Sequence, residues 1–221
     1  MPVKLDSVVP WGRSFGEYAR MFALSETDLR KTILDCAAGP SSFNAEMTRL
    51  GHRVISIDPI YAFSAHEIRS RVQAVRDTMI EQVRDQSGQF VWDFIRSPEH
   101  LEQMRMSAMD QFLEDYDINT RPEQYQNQSL PKLNFADASF DLALCSHCLF
   151  LYSEQLDTQF HIDSIRELLR VASEVRIFPV TNLSGKPSMH LQSVRDAFKT
   201  ELVSVPYEFL RGANQMLVVK H

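Results

Sequence analysis

Residues 32–58 contain the pattern that most limits how this chain can fold. A short β-rich run at 32–36 includes Asp35 and is followed by a turn of small residues, Ala-Ala-Gly-Pro-Ser-Ser. A helical segment at 43–50 comes next, and a second β-rich run at 53–57 ends in Asp58. Because two parallel strands need a crossover between them, this order predicts a βαβ unit.

The rest of the chain continues the alternation of helices and strands. Apolar spacing and capping residues predict helices at 15–24, 65–86, 98–112, 162–171 and 189–199, and strands at 140–145, 174–180, 201–209 and 215–220. The composition of residues 211–214 predicts a hairpin between the last two strands. The sequence thus indicates one α/β domain over 1–221, doubly wound around a mostly parallel sheet. A helical segment at 1–31 precedes it, a helical insertion occupies 62–129, and no third strand is assigned within 120–132.

The first βα turn points to a nucleoside ligand. Ligands of open parallel sheets bind at the carboxyl ends of the strands, and small residues there allow close approach to the backbone and the helix N-terminus. Asp58 ends the next strand, about 20 residues after the turn, where an acid accepts hydrogen bonds from ribose hydroxyls.

Four segments resemble the class I S-adenosylmethionine-dependent methyltransferases. They are ILDCAAGPSSF at 33–43, VISIDPIY at 54–61, LNFADASFDLALCSHCLFLY at 133–152, and the final hairpin. The resemblance covers roughly 33–61 and 130–221. It implies a seven-stranded sheet with an antiparallel C-terminal hairpin, S-adenosylmethionine as the cofactor, and methyl transfer to a small molecule. The family usually has glycine where this chain has Ala37 and Ser41.

The resemblance also assigns roles by position. It places Asp35, Ala37, Gly39, Pro40 and Ser41 at the methionine end of the cofactor, Asp58 at the ribose, Pro59 and Ile60 beside the adenine, and Ser146 and His147 beside the sulfonium and the substrate. The leading segment often closes over the cofactor in this family, which makes Arg13 and Tyr18 further candidates. A guanidinium suits a carboxylate, so Arg13 is a candidate partner for the cofactor's carboxylate, although the sequence favours the interpretation of a surface arginine.

Two residues after the 140–145 strand are candidates for catalysis. His147 has an ordinary pKa near neutrality and is either a general base or a polar residue that orients another group. Tyr152 either donates a hydrogen bond to the substrate or packs half-buried. Cys145 and Cys148, with Cys36 on a neighbouring strand, have zinc-binding atoms, but no second paired motif accompanies them and no metal is predicted.

The long insertion and the charge indicate the kind of substrate. Residues 62–129 form either a helical lid over the substrate, with Met106 in its pocket, or added core on one face of the sheet. The net charge of -6 and the absence of a basic run argue against nucleic acid. No apolar stretch is long enough to cross a membrane, and three cysteines favour a reducing compartment, the cytoplasm.

Two other functions share part of this pattern. An NAD-dependent oxidoreductase has the same turn and the same acid after the second strand. A non-catalytic module that uses the fold to bind a protein partner would explain the altered glycines.

Overall fold

The computed structural model describes residues 11–116 and 121–221. The helices are α1 (Phe15–Met21), α2 (Glu26–Leu29), α3 (Phe43–Arg49), α4 (Ala65–Asp85), α5 (Pro98–Asp115), α6 (Thr158–Val171) and α7 (Leu191–Ala197), with short 3₁₀-helices at Pro59–Ala62 and Ser87–Gln89. The strands are β1 (Ile33–Cys36), β2 (Val54–Ile57), β3 (Tyr125–Gln126), β4 (Phe140–Ser146), β5 (Ala172–Phe178), β6 (Thr200–Ser204) and β7 (Gln215–Lys220).

All seven strands form one sheet in the order β3-β2-β1-β4-β5-β7-β6. Strands β1 to β5 run parallel, and β7 runs antiparallel to its neighbours β5 and β6. This is the doubly wound, mostly parallel sheet with an antiparallel C-terminal hairpin that the sequence predicted. The class I methyltransferase-like architecture is therefore confirmed.

Alternating side chains of the central strand divide the core into two layers. In β4, Ala143 and Cys145 join the cluster beneath α6 and α7, whereas Leu142 and Leu144 join the cluster beneath α1 and α3. Successive side chains of a strand point to opposite faces, so a strand covered on both faces is apolar throughout. This arrangement leaves the carboxyl ends of β1, β2 and β4 at one edge of the two layers.

The insertion forms a third apolar cluster of its own. Helices α4 and α5 pack on each other and bury aliphatic and aromatic side chains against Trp11, Tyr61 and Tyr125. The α4 helix begins at a capping box in which Ser64 and Glu67 exchange side-chain to backbone hydrogen bonds. No helix among the described residues is long and apolar enough to cross a membrane.

Several boundaries differ from the predictions, for local reasons. The unassigned third strand is the two-residue β3, too short to show an alternating pattern. Strand β6 ends at Ser204 rather than at 209, and the chain from 205 to 214 forms a longer connection to β7. Helix α1 ends at Met21, and α6 begins earlier than predicted because Asp157 caps it.

Candidate cofactor and substrate site

A cavity of about 960 Å³ opens at the carboxyl ends of β1, β2 and β4. Small-molecule sites commonly measure about 300–1,000 Å³. Ten residues predicted for the site line its wall: Arg13, Tyr18, Ala37, Gly39, Asp58, Pro59, Ile60, Ser146, His147 and Tyr152. The structure thus brings together most of the residues that the sequence singled out.

Asp58 joins the first βα turn to the end of β2. Its Oδ2 accepts a hydrogen bond from the backbone N–H of Gly39 at 3.0 Å, and its Oδ1 accepts one from Ile60 at 2.8 Å. Burial raises the pKa of this carboxyl group, although the two hydrogen bonds oppose the shift. Each carboxylate oxygen has a second lone pair, so two hydroxyl donors can still bind here.

The backbone of the turn is left-handed at two positions. Ala37 has a φ of 55° and Gly39 a φ of 58°, both in the left-handed region. Glycine adopts that region without cost, whereas a residue with a Cβ is strained there. Ala37 keeps the turn geometry, and its methyl group lies on the cavity wall.

Three predicted site residues do not line the cavity, which corrects their assignment to the methionine end of the cofactor. Asp35 is fully buried and accepts hydrogen bonds from Tyr18 Oη at 3.0 Å and Ser56 Oγ at 3.1 Å. Burial raises its pKa to about 7 in spite of these bonds. Pro40 and Ser41 are buried under the leading segment, whose residues cover the outer side of the turn.

The leading segment is fixed directly on the turn. The carbonyl oxygen of Arg13 accepts hydrogen bonds from Ser41 Oγ at 2.8 Å and from the Ser42 N–H at 3.1 Å. A Cβ on Gly12 would lie only 1.8 Å from the carbonyl oxygen of Pro40. This contact places the Arg13 side chain on the cavity wall, so the interpretation of Arg13 as a surface residue is wrong.

Sequence reasoning missed a buried ion pair beside the cavity. Arg105 in α5 donates to both carboxylate oxygens of Glu17 in α1, at 2.5 and 2.8 Å, and Tyr207 Oη donates to Glu17 at 2.7 Å. Glu17 is 0% exposed and Arg105 is 2% exposed. Although burial raises the pKa of Glu17, the charge and hydrogen bonds of Arg105 lower it to about 2. The sequence signal for this pair was Arg105, which lies four residues after Leu101 and therefore on the buried face of the same helix.

His147 is held rigidly at the end of β4. Its φ is 51°, its N–H donates to the carbonyl of Phe178 at 2.7 Å, and its Nδ1 lies 2.8 Å from Ser146 Oγ. Burial, followed by the charges of Arg13 and Arg105, lowers the pKa of His147 well below its usual value. The imidazole is therefore neutral near pH 7. Burial raises the pKa of Tyr152, which keeps its hydroxyl protonated.

Helix α4 forms an apolar wall of the same cavity. Val75, Met79 and Val83 line it, together with Leu101 of α5 and with Phe209 and Leu210 from the connection before β7. Met106, the predicted pocket residue, does not line the cavity and packs against the apolar cluster of the insertion instead. The insertion thus supplies both cavity wall and added core.

The three cysteines lie together near the cavity. Cys36 and Cys145 are opposite each other in the β1–β4 register, and Cys148 lines the cavity. A hydrogen bond with Cys145, followed by burial, raises the pKa of Cys148 well above its usual value, so its thiol is protonated. Within residues 11–116 and 121–221, no group of three or more His, Cys, Asp or Glu side chains is arranged to hold a metal ion.

Comparison with solved structures finds similarity in fold at low sequence identity. Magnesium protoporphyrin IX methyltransferase from Synechocystis PCC 6803, solved with bound SAM, has a TM-score of 0.45 and 12% identity, over 89% of this chain and 73% of that one. The PH0226 protein from Pyrococcus horikoshii OT3 has a TM-score of 0.45 and 10% identity, over 86% of this chain and 82% of that one.

Sequence comparison identifies a much more similar relative. No protein-family model matches the chain. The relative comes from Methanocaldococcus jannaschii and is named "Uncharacterized protein MJ0045". It is 36% identical over 219 residues, which is 99% of this chain and 98% of the relative. This chain therefore belongs to the same protein family as MJ0045 of M. jannaschii.

Proposed function

We propose that the protein transfers a methyl group from S-adenosylmethionine to a small molecule. The observation that carries this proposal is the position of Asp58, which is bonded to the Ala37–Gly39 turn and lines a cavity at the carboxyl ends of three parallel strands. A ribose diol fits the free lone pairs of Asp58, and hydroxyl donors would offset the cost of burying its charge. With the ribose at Asp58, the cofactor's methionine part would lie next to Arg13 and His147.

The residues around the proposed reaction centre bind and orient the reactants and hold one proton. S-adenosylmethionine supplies a methyl group on a positively charged sulfur. In the tautomer whose Nδ1–H donates to Ser146 Oγ, Nε2 of neutral His147 holds the lone pair that would take a proton from an acidic acceptor group. Tyr152, with its hydroxyl protonated, would donate a hydrogen bond that orients the acceptor.

The topology favours a methyltransferase over the alternative oxidoreductase. Dinucleotide-binding sheets usually have the order 3-2-1-4-5-6 and are mostly parallel. Here β7 is inserted antiparallel between β5 and β6. The turn and the acid after β2 are common to both classes, so this antiparallel strand is what separates them.

Calorimetric titration tests the proposal. S-adenosylmethionine and S-adenosylhomocysteine should each bind saturably, one molecule to one chain, and NADH should not. Binding of NADH alone would establish the oxidoreductase instead. Cofactor binding without turnover on any acceptor, together with a stable protein partner, would favour the non-catalytic module. No binding of either nucleoside to the folded protein would refute the proposal.

The Asp58→Asn variant tests the placement of the cofactor. It removes the charge that accepts the ribose hydroxyls, and S-adenosylhomocysteine affinity should fall by about 1–3 kcal/mol, or roughly 5- to 150-fold. Asp110→Asn is the matched control, because Asp110 is an exposed partner of Arg69 outside the cavity wall. Equal affinities for the two variants would show that the ribose does not bind at Asp58.

A further inference from the structure

The cavity wall contains three buried N–H donors without a partner. Among the described residues, the buried side-chain nitrogens that lack a hydrogen bond are Trp11 Nε1, Arg13 Nε and Arg105 Nε. All three side chains line the same cavity. Buried polar groups are almost always hydrogen-bonded, so three orphan donors in one cavity indicate a ligand that supplies acceptor oxygens.

The charges around the cavity indicate that this ligand is an anion. The positive charges of Arg13 and Arg105 are balanced by the negative charges of Glu17 and Asp58. The exposed Arg71 adds a further positive charge at the wall. The proposed cofactor does not restore the balance, because its ammonium and carboxylate cancel and its sulfonium adds one positive charge. With the cofactor bound, one positive charge is left without a counter-charge beside buried groups, so an acceptor with a negative group is favoured.

The neighbouring wall describes the rest of the acceptor. Arg105 is one helical turn from Leu101 in α5, and Leu101 lines the same cavity as the apolar residues Val75, Met79 and Val83 of α4, a helix that packs on α5. Two turns of aliphatic side chains next to a buried guanidinium match a molecule with an apolar body and an acidic group at one end.

We propose that the methyl acceptor is an apolar organic acid whose carboxylate binds Trp11 Nε1 and Arg105 Nε. This inference rests on the proposed methyltransferase function and specifies its substrate class. Arg13, fixed on the turn by Ser41 and Ser42, remains with the carboxylate of the cofactor. Arg105 and Trp11 are the residues that hold the acceptor in place, and the apolar body extends along α4.

Paired probes test the proposal by calorimetry. Decanoate and 3-phenylpropanoate are compared with decan-1-ol and 3-phenylpropan-1-ol, on protein saturated with S-adenosylhomocysteine. At least one acid should bind about tenfold or more tightly than its alcohol, as expected for a hydrogen bond to a charged group. The preference should increase when an analogue with an ammonium group in place of the sulfonium replaces S-adenosylhomocysteine.

Two variants locate the acid group. Trp11→Phe keeps a buried ring but removes the N–H, and Arg105→Lys keeps the charge beside Glu17 but removes the Nε donor. Each should weaken acid binding about five- to tenfold and leave the alcohol unaffected. If Arg105→Lys does not fold, the binding of acids and alcohols to Trp11→Phe and to the wild-type protein still tests the proposal.

The outcomes separate the two proposals. Failure of S-adenosylhomocysteine to bind would overturn the methyltransferase function itself. If S-adenosylhomocysteine binds but the acids bind no better than the alcohols, or no probe binds, the acid-acceptor inference is wrong and the function stands. A loss of acid and alcohol binding by the same factor in Trp11→Phe would also overturn it, because the indole would then only shape the pocket.

Discussion

Asp35 and Asp58 end neighbouring strands of one βαβ unit, yet the structure gives them different surroundings. Asp58 lies on the cavity wall, whereas Asp35 is enclosed beneath Tyr18 and Ser56. The pattern of the sequence predicted both acids at the strand ends, and for Asp58 that was sufficient to place the side chain on the cavity wall. The pattern was not sufficient for Asp35, because Tyr18, which covers its carboxyl group, comes from α1, outside the βαβ unit.

The buried carboxyl of Asp35 makes a specific pH dependence testable. Its pKa is raised to about 7 in the folded protein, against about 3.9 in an unfolded chain. Between these values the unfolded state releases the proton and the folded state keeps it, so stability from this group falls as the pH rises. Asp35→Asn keeps a neutral group, and its melting temperature relative to wild type should rise from pH 4 to pH 7 and then level off.

A second acid provides a control of opposite sign. Hydrogen bonds from the side chain and backbone of Thr32 lower the pKa of Asp141. The stability that ionised Asp141 contributes is present above its unfolded pKa and is lost as the pH falls. Asp141→Asn should therefore lower the melting temperature at pH 7 and leave it unchanged in acid. A pH-independent difference between Asp35→Asn and wild type would show that burial does not keep Asp35 protonated.

At the scale of elements, the leading segment and the first βα turn act as one unit. Gly12 lies against the carbonyl of Pro40, and Arg13 accepts hydrogen bonds from Ser41 and Ser42. We expect Gly12→Ala to push this segment off the turn, lowering stability by about 1–3 kcal/mol and weakening S-adenosylhomocysteine binding. Thermal unfolding and calorimetry measure the two effects.

Gly88 is the matched control for that substitution. A Cβ on Gly88 would meet no atom within 4 Å, and Gly88 has no positive φ. Gly88→Ala should therefore leave the melting temperature within a few degrees of wild type and the affinity unchanged. If Gly12→Ala behaved like Gly88→Ala, the leading segment would not support the turn.

Elements were predictable where the hydrophobic pattern extended over several turns or residues. The βαβ unit at 32–58, the helix from Ser64 and the strands at 140–145 and 215–220 all follow from local spacing and capping. Strand β3 was not predictable, since its two residues lie among polar side chains and form a strand only by pairing with β2. Residues 205–209 were predicted as the end of a strand, but they lie in the connection before β7, where Phe209 lines the cavity.

At the scale of the whole molecule, the buried pair Glu17–Arg105 ties the leading helix to the insertion. The two side chains are separated by 88 positions in the sequence, and Tyr207 joins them from the C-terminal part of the chain. Local patterns do not encode such a contact, which is why the sequence did not single out Glu17. Because the pair joins α1 to α5, we expect the insertion and the sheet to unfold together.

Breaking this pair should therefore destabilise the whole domain and not one segment. Glu17→Gln leaves Arg105 as an uncompensated buried charge, and the free energy of unfolding in denaturant should fall by about 3–5 kcal/mol with the cooperativity unchanged. Arg84→Gln, which breaks the exposed pair with Glu99, should cost less than about 1 kcal/mol. Restoring neutrality with Glu17→Gln and Arg105→Met together should recover part of the loss, because no buried charge remains. A small loss of unfolding free energy in Glu17→Gln would mean that apolar contacts hold the insertion to the sheet and that the ion pair serves only the cavity. A second unfolding transition that appears only in that variant would lead to the same conclusion.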